Sequence, residues 1–129
     1  MMFTYLSCVL AMIFSLWTDV SRSQCPEKCS CDKHLVNCKG QLLSTIPLPL
    51  SNATVLYLDL SSNMIEFLPD DAFIGLPNLN DLNLNANRIG NITRKSFKGL
   101  TQLQTLYLSE NDLKTIEDGA FEELPNLVQ

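Results

Sequence analysis

The sequence predicts a solenoid, in which similar structural units stack side by side behind a cysteine-rich segment. Asparagines recur every 24 residues, at Asn63, Asn87 and Asn111. Phenylalanines recur at the same interval, at Phe73, Phe97 and Phe121. Four cysteines crowd together just before this pattern begins. Self-similarity at a fixed period indicates a stacked array rather than a compact globule.

Composition excludes several classes of function. The 129 residues carry nine Lys or Arg and 14 Asp or Glu, a formal net charge of −5. A nucleic-acid-binding protein needs a basic surface, so the sequence predicts no nucleic-acid partner. His34 is the only histidine and lies within the cysteine-rich segment, which argues against a Ser-His-Asp triad. The five glycines are scattered and form no phosphate-binding loop. The sequence therefore predicts neither catalysis nor a cofactor.

The N-terminal segment has the features of a secretory signal. Residues 1–17 are apolar and uncharged, and the run is shorter than the roughly 20 residues of a membrane-spanning helix. Ser21 and Ser23 occupy the −3 and −1 positions of a cleavage site before Gln24. We therefore predict a signal peptide over residues 1–23 and a secreted, extracellular product. The alternative is an uncleaved signal anchor. The sequence after the signal contains no further apolar stretch long enough to span a membrane.

Cysteines next to this signal indicate two disulfides. Cys25, Cys29, Cys31 and Cys38 follow the spacing C-x3-C-x-C-x6-C. Four thiols so close together bind zinc or form disulfides. Export favours disulfides, because the secretory lumen oxidises thiols whereas zinc binds thiolates. A zinc-binding intracellular domain is the alternative. Four cysteines allow three pairings, and the spacing alone does not choose among them.

Three complete repeats follow the cysteine-rich segment, which covers residues 24–54. They span residues 55–78, 79–102 and 103–126, and a fourth begins at 127–129. Each opens with two leucines separated by one residue, such as Leu58 and Leu60, which predicts a short strand with inward leucines. The asparagine that follows ends the strand, and its amide is suited to bond backbone groups of the neighbouring unit. No unit buries its apolar face alone, so stability comes from the stack.

The repeat pattern L-x-x-L-x-L-x-x-N-x-I-x-x-L-x-x-x-a-F-x-x-L resembles the extracellular, 24-residue type of leucine-rich repeat. Residues 24–54 resemble the N-terminal cap of such arrays. The resemblance implies an α/β-type solenoid: a leucine-rich-repeat horseshoe fragment with short parallel strands on its concave face and a disulfide-capped N-terminal β-hairpin. It also implies that Cys25 pairs with Cys31, and Cys29 with Cys38. Slit-like guidance proteins, small leucine-rich proteoglycans and receptor ectodomains carry caps of this spacing.

The C-terminal end departs from the pattern of complete family members. The resemblance implies further repeats and a second cysteine cap, and the 129 residues contain neither. We therefore expect a fragment, an incomplete gene product or a short isoform of a longer protein. Terminal units normally carry a polar cap, so the last repeat is expected to expose its inner leucines. Self-association through this uncapped end is the predicted consequence.

The non-leucine positions of each strand are predicted to face the concave side and to bind a partner. They are Tyr57, Asp59, Asp81, Asn83, Thr105 and Tyr107, together with Glu110 and the flanking Ser61, Ser62, Asn85, Ala86 and Ser109. Asp59, Asn83 and Tyr107 are expected to form one row, and Tyr57, Asp81 and Thr105 another. Tyrosines among acids and amides are typical of protein-binding surfaces. The alternative is a concave face that is merely solvated.

Three surface features lie outside the predicted strands. Asn52 and Asn91 each begin an N-x-T sequon, which predicts N-glycosylation in an exported chain. A basic cluster suggests either a heparin or phospholipid patch or, preferred, a solvated loop; it contains Arg88, Arg94, Lys95 and Lys98. The acids of the last repeat lack the spacing and turn glycine of a calcium loop, so no metal site is predicted.

The sequence therefore predicts an exported, non-catalytic protein-binding module for adhesion, guidance or receptor–ligand recognition. Its expected partner is an extracellular or cell-surface protein, bound by shape and polar complementarity on a preformed sheet. The alternative function is an extracellular-matrix organising protein that binds collagen or glycans.

Overall fold

The computed structural model describes residues 25–47 and 52–129, so the predicted signal peptide lies outside the described residues. Seven short strands occur in these ranges: β1 Ser30–Asp32, β2 Leu35–Asn37, β3 Tyr57–Asp59, β4 Asp81–Asn83, β5 Asn91–Ile92, β6 Thr105–Tyr107 and β7 Thr115–Ile116. The other described residues form turns and irregular segments, and none of them is helical.

Five strands form one continuous sheet, in the order β1-β2-β3-β4-β6. β1 and β2 are an antiparallel hairpin, whereas β2, β3, β4 and β6 run parallel to one another. The strands pair in register, so that Leu58 lies between Val36 and Leu82. The parallel strands and the cap hairpin implied by the resemblance are confirmed. The hairpin is also continuous with the repeat sheet, which extends the concave face into the cap.

Turns carry the chain across the convex side from one strand to the next. In the first repeat, the N–H of Ala72 donates to the carbonyl of Pro69 at 3.2 Å, and that of Leu76 to Phe73 at 3.0 Å. These bonds span three residues rather than the four of an α-helix. In the second repeat the turn ends at Gly99, which has a φ of 89°. A Cβ there would lie 3.1 Å from the Cα of Ile74, so the turn requires glycine.

A second, two-stranded parallel sheet pairs β5 with β7. In it Asn91 lies beside Thr115, and Ile92 beside Ile116. The apolar pattern did not predict this sheet, because two residues are too few for an alternation to be recognised.

Leucines and phenylalanines at the repeating positions form the core. Leu58, Leu60, Leu82 and Leu84 are at most 2% exposed. The rings of Phe73 and Phe97 stack at a centroid distance of 6.5 Å, and those of Phe97 and Phe121 at 6.1 Å. Phe121 is nevertheless 39% exposed, whereas Phe73 and Phe97 are fully buried. Leu106 and Leu108 are only half-buried, as expected for the outermost unit of a stack.

The repeated asparagines join consecutive units by hydrogen bonds. Asn87 illustrates the pattern: its Nδ2 donates to the carbonyl of Leu84 at 3.1 Å and, one repeat earlier, to that of Leu60 at 3.0 Å. Its Oδ1 accepts the N–H of Ile65 at 3.1 Å. The predicted bonding of asparagine amides to neighbouring turns is confirmed.

Two disulfides fix the cap, between Cys25 and Cys31 and between Cys29 and Cys38. This is the pairing that the resemblance implied. Cys38 has no exposed surface and belongs to the core, whereas Cys31 is exposed. The disulfide-bonded sulfurs are not thiolates, so the structure favours the disulfide interpretation over zinc.

Candidate binding surface

The concave face presents two rows of side chains that run across the strands. We define the first-position row by the first residue of each parallel strand, namely Leu35, Tyr57, Asp81 and Thr105. We define the third-position row by the third residue, namely Asn37, Asp59, Asn83 and Tyr107. β1 extends both rows, since Asp32 pairs with Leu35 and Ser30 with Asn37. The two predicted rows are therefore in register, and the cap lengthens each of them.

Three side chains of the third-position row accept hydrogen bonds from the backbone of the turn that follows each strand. Asn37 Oδ1 accepts the N–H of Lys39, and Asn83 Oδ1 that of Asn85, both at 3.0 Å. Asp59 Oδ1 accepts the N–H of Ser61 at 2.9 Å. Each is an Asx turn, in which the side chain bonds the backbone two residues later. One oxygen of each side chain is thus occupied in ending the strand.

The first-position row offers side chains without such bonds. Leu35 and Tyr57 are 40% and 46% exposed, and they lie side by side in register. Asp81 and Thr105 are half-buried. Within the two described ranges, no hydrogen bond or ion pair engages the side chain of Asp81. Tyr107, from the other row, is a third large apolar side chain on this face, at 39% exposure.

Residues after the strands depart from the predicted concave surface. Ser61 is only 5% exposed and its hydroxyl donates to Asp59 Oδ1 at 2.6 Å, so the prediction that it presents a side chain on the concave surface is wrong. Ser62, Ala86 and Glu110 have left-handed φ angles of 54–56°. Glu110 is therefore an exposed turn residue that follows β6 and lies beyond both rows.

Sequence reasoning missed Leu35. It belongs to the cap, and the search for concave positions considered only the repeats. The available signal was the alternation of Val36 and Cys38, which matches that of Leu58 and Leu60 and places Leu35 at the position of Tyr57.

The two sequon asparagines lie in different settings. Asn52 Oδ1 accepts the N–H and the Oγ1 hydroxyl of Thr54, at 2.9 and 2.7 Å. Asn91 is exposed on β5, and its Oδ1 accepts the hydroxyl of Thr115 at 2.6 Å. Asn91 thus belongs to the second sheet, whereas Asn52 lines a pocket together with Leu35 of the first-position row.

Acids of the adjacent repeats pair with most of the basic cluster. Lys98 Nζ lies 3.2 Å from Asp71 Oδ1, and Lys95 Nζ lies 3.6 Å from Asp70 Oδ2. Arg94 Nε lies 3.5 Å from Glu117 Oε1 and donates to the carbonyl of Asp118 at 2.8 Å. Partial neutralisation across repeats supports the solvated-loop interpretation over a patch for polyanions.

The only histidine of the sequence lies in the cap. His34 lies at the turn between β1 and β2, with Nδ1 2.7 Å from the carbonyl oxygen of Thr54. Among residues 25–47 and 52–129, no three His, Cys, Asp or Glu side chains are grouped to hold a metal ion. The part of the chain that the structure describes likewise contains no helix that is long and apolar enough to cross a membrane.

Known proteins share both the repeat sequence and the fold. The profile of the family described as "Leucine rich repeat" matches residues 50–89 and 77–129. Leucine-rich repeat-containing G-protein coupled receptor 4 of Bos taurus is 46% identical over 61 residues, which are 46% of this chain and 6% of the receptor. The chain thus spans only a small part of such a relative.

Solved structures agree on the architecture. Human 5T4 (Wnt-activated inhibitory factor 1, trophoblast glycoprotein) superposes with a TM-score of 0.68 at 33% identity, over 76% of this chain and 36% of 5T4. A chain of the TLR13–ssRNA13 complex superposes with a TM-score of 0.62 at 28% identity, over 78% of this chain and 18% of that one.

Proposed function

The chain belongs to the leucine-rich-repeat family, and from this premise we propose that it is an exported, non-catalytic protein-binding module. Its concave sheet would serve adhesion, guidance or receptor–ligand recognition. The partner would be an extracellular or cell-surface protein.

The observation that carries this proposal is the exposure of three large apolar side chains on the concave sheet. Leu35, Tyr57 and Tyr107 are each about two-fifths exposed. Tyrosine supplies rigid contact area and a hydroxyl that bonds at the edge of an interface. Leu58 and Leu60 anchor the strand of Tyr57 at no more than 2% exposure, and Val36 anchors that of Leu35 at 5%, so little ordering of these two strands would be needed on binding.

The charge of the concave face supports a protein partner rather than a nucleic acid. Asp32, Asp59 and Asp81 lie in the two rows, which contain no Lys or Arg. Phosphate groups would be repelled by these carboxylates. The similar TLR13 chain was solved as a complex with an RNA, so single-stranded RNA is a necessary arm of the test.

The disulfides and the receptor relative support an extracellular location. Two disulfides within residues 25–38 are typical of chains that pass through an oxidising compartment. The relative from Bos taurus is named as a receptor.

A binding array tests the proposal. The secreted full chain would be applied to purified cell-surface ectodomains, collagen, heparin and single-stranded RNA. We expect binding to at least one ectodomain, and we expect Tyr57→Ala with Tyr107→Ala to weaken it by about tenfold or more. Phe67→Ala is the matched control, because Phe67 is 70% exposed but lies outside both rows.

Different outcomes of this array identify the alternatives. Binding to collagen or heparin that survives the double tyrosine substitution would contradict the concave site and favour the matrix-organising function. Binding to RNA would contradict the proposed class of partner. Equal losses for Phe67→Ala and the tyrosine pair would indicate general destabilisation instead of a binding surface.

We also propose that Asn52 and Asn91 carry N-linked glycans. Asn91 lies on the second sheet, so a glycan there leaves the two rows open, whereas Asn52 lines a pocket together with Leu35. A glycan at Asn91 would lie on the same side of the solenoid as β5 and β7.

A further inference from the structure

We propose that the concave face takes an extended segment of a cationic protein chain that crosses the strands. An apolar side chain of this segment would contact Leu35 and Tyr57, and a Lys or Arg two residues away on each side would face Asp32 and Asp81. This inference rests on the proposed function, since it names the kind of partner that the same surface would bind.

The order of side chains along the first-position row defines the pattern. Register places Asp32, Leu35, Tyr57 and Asp81 beside one another on four consecutive strands. The two central side chains are the exposed apolar pair, and a carboxylate flanks the pair on each side. The row is therefore symmetric in its chemistry: acid, apolar, apolar, acid.

Distances along this row match the side-chain period of an extended chain. Neighbouring strands lie about 4.8 Å apart, so either carboxylate is about 7 Å from the midpoint between Leu35 and Tyr57. Side chains on one face of an extended segment recur every second residue, which is also about 7 Å. A segment of the form basic-x-apolar-x-basic would therefore place all three side chains opposite their partners.

The third-position row explains why an extended segment fits better than a helix. A helix is about 10–12 Å wide and would cover both rows. The polar side chains of the third-position row already bond Lys39, Ser61 and Asn85, so they offer fewer groups to a partner. One row of free side chains matches the width of one extended chain.

Electrostatic complementarity determines the sign of the partner's charge. In the residues that the structure describes, no basic side chain pairs with Asp32 or Asp81. Asp81 is half-buried, so a cation placed against it would be shielded from solvent by the neighbouring side chains. An ion pair in such a setting is screened less by salt than an exposed pair, and it contributes to specificity and register.

Selection from a peptide library tests this inference. The probe is a multivalent phage library of random nonapeptides, applied to the immobilised full chain. We expect enrichment of sequences with an apolar residue flanked by Lys or Arg at positions −2 and +2. When the library is applied to Asp81→Lys, we expect the enrichment of Lys or Arg at one of these two positions to fall by about tenfold, because the carboxylate is replaced by an ammonium group.

Three variants make the selection decisive. Glu123→Lys makes the same change of net charge at an exposed residue away from both rows, and it should select the wild-type pattern. Asp81→Asn keeps the shape of the side chain, so loss of the basic preference there reports charge rather than misfolding. Tyr57→Ala should remove the preference for the central apolar residue.

The outcomes separate this inference from the proposed function. Peptides that require Tyr57 but show no basic residues at the two flanks would overturn the inference and leave the concave binding function standing. Identical selections on the wild type, Asp81→Lys and Tyr57→Ala would contradict both. Absence of enrichment on the wild type would also overturn the inference.

Discussion

The side chain of Asn63 joins the first repeat to the disulfide-bonded cap, because its Nδ2 donates to the carbonyl oxygen of Cys38 at 2.9 Å. Its Oδ1 accepts the N–H groups of Gln41 and Leu43, each at 3.0 Å. The column formed by Asn63, Asn87 and Asn111 therefore begins at the cap. The cap is the first unit of the stack in its hydrogen bonding as well as in its sheet.

Replacing Asn63 by Asp tests this connection with almost no change of shape. Nδ2 of Asn63 donates to three carbonyls, those of Cys38, Leu60 and Ser61. A carboxylate oxygen in its place would accept no proton from them and would repel them. We expect a loss of about 3 kcal/mol or more in the free energy of unfolding, measured by urea denaturation.

Asn111→Asp is the matched control for this substitution. Asn111 makes the same type of bond to the carbonyls of Leu84 and Leu108, but it is half-buried, whereas Asn63 is 7% exposed. Water can therefore solvate the new carboxylate. If Asn111→Asp lowers the free energy of unfolding as much as Asn63→Asp does, burial does not determine how much each asparagine contributes to stability.

The inner disulfide is expected to matter more than the outer one. The two bonds close loops of similar sequence separation, 6 and 9 residues, and loop entropy assigns about 2–3 kcal/mol to each. Cys38 is fully buried, so Cys29→Ala with Cys38→Ala also leaves space in the core. Denaturation of both double variants compares the two losses, and an equal or larger loss for Cys25→Ala with Cys31→Ala would contradict this ranking.

Thiol titration of the wild type checks the state of the cap. Under denaturing, non-reducing conditions, Cys25, Cys29, Cys31 and Cys38 should show no reactive thiol. Four reactive thiols together with bound zinc would refute the disulfide assignment.

Phe97→Ala should be among the most destabilising single substitutions. Phe97 is fully buried and stacks between Phe73 and Phe121. Removing a buried phenyl ring costs about 3–5 kcal/mol. Phe121→Ala removes the same atoms from a side chain that is 39% exposed, so we expect less than half this loss. Urea denaturation of the two variants measures both losses in the free energy of unfolding. Similar losses would contradict the idea that burial determines how much each ring of the phenylalanine stack stabilises the fold.

Neutralising the acids that face the basic cluster should alter polyanion binding more than stability. Asp70→Asn with Asp71→Asn removes the partners of Lys95 and Lys98. These pairs are exposed, so the free energy of unfolding should change by less than about 1 kcal/mol. Retention on a heparin column should increase because two ammonium groups lose their counter-charges. Unchanged retention would show that the pairs do not mask the cluster.

Glycosidase digestion tests the two sequons. We expect PNGase F to increase the gel mobility of the secreted wild type by two steps, each of which corresponds to the removal of one glycan. Thr54→Ala and Thr93→Ala should each remove one step, whereas Thr54→Ser and Thr93→Ser keep the sequon and should keep the step. Loss of a step with serine, or no mobility change in the wild type, would count against glycosylation at that position.

The repeat core was readily predicted from sequence because each buried position recurs at a fixed interval. Leu58, Leu82 and Phe97 needed no knowledge of distant contacts, since the period alone aligned the units. The role of Asn87 followed from the same alignment. The pairing of Cys29 with Cys38 did not: the spacing left three pairings open, and only the resemblance to known caps selected one.

The concave face was predicted only in outline. Asp59 was correctly placed in a strand beside Asn83, but its bond to Ser61 was not foreseen. That bond depends on the backbone turn after β3, which the strand pattern does not describe. Leu35 was missed because the repeat alignment stops before the cap, although the sheet continues through it.

The 24-residue period identifies this protein as a stack of similar units without any knowledge of its structure, because apolar periodicity is a local property that each unit repeats. Which polar side chains remain unpaired on the surface depends, in contrast, on how the repeats stack. Arg94 and Glu117 are far apart along the chain yet form an ion pair, since stacking places consecutive repeats side by side. The same geometry aligns Asp81 with Tyr57 on the concave face. Such neighbours exist only when the sheet has formed, and their chemistry determines what the surface is suited to bind.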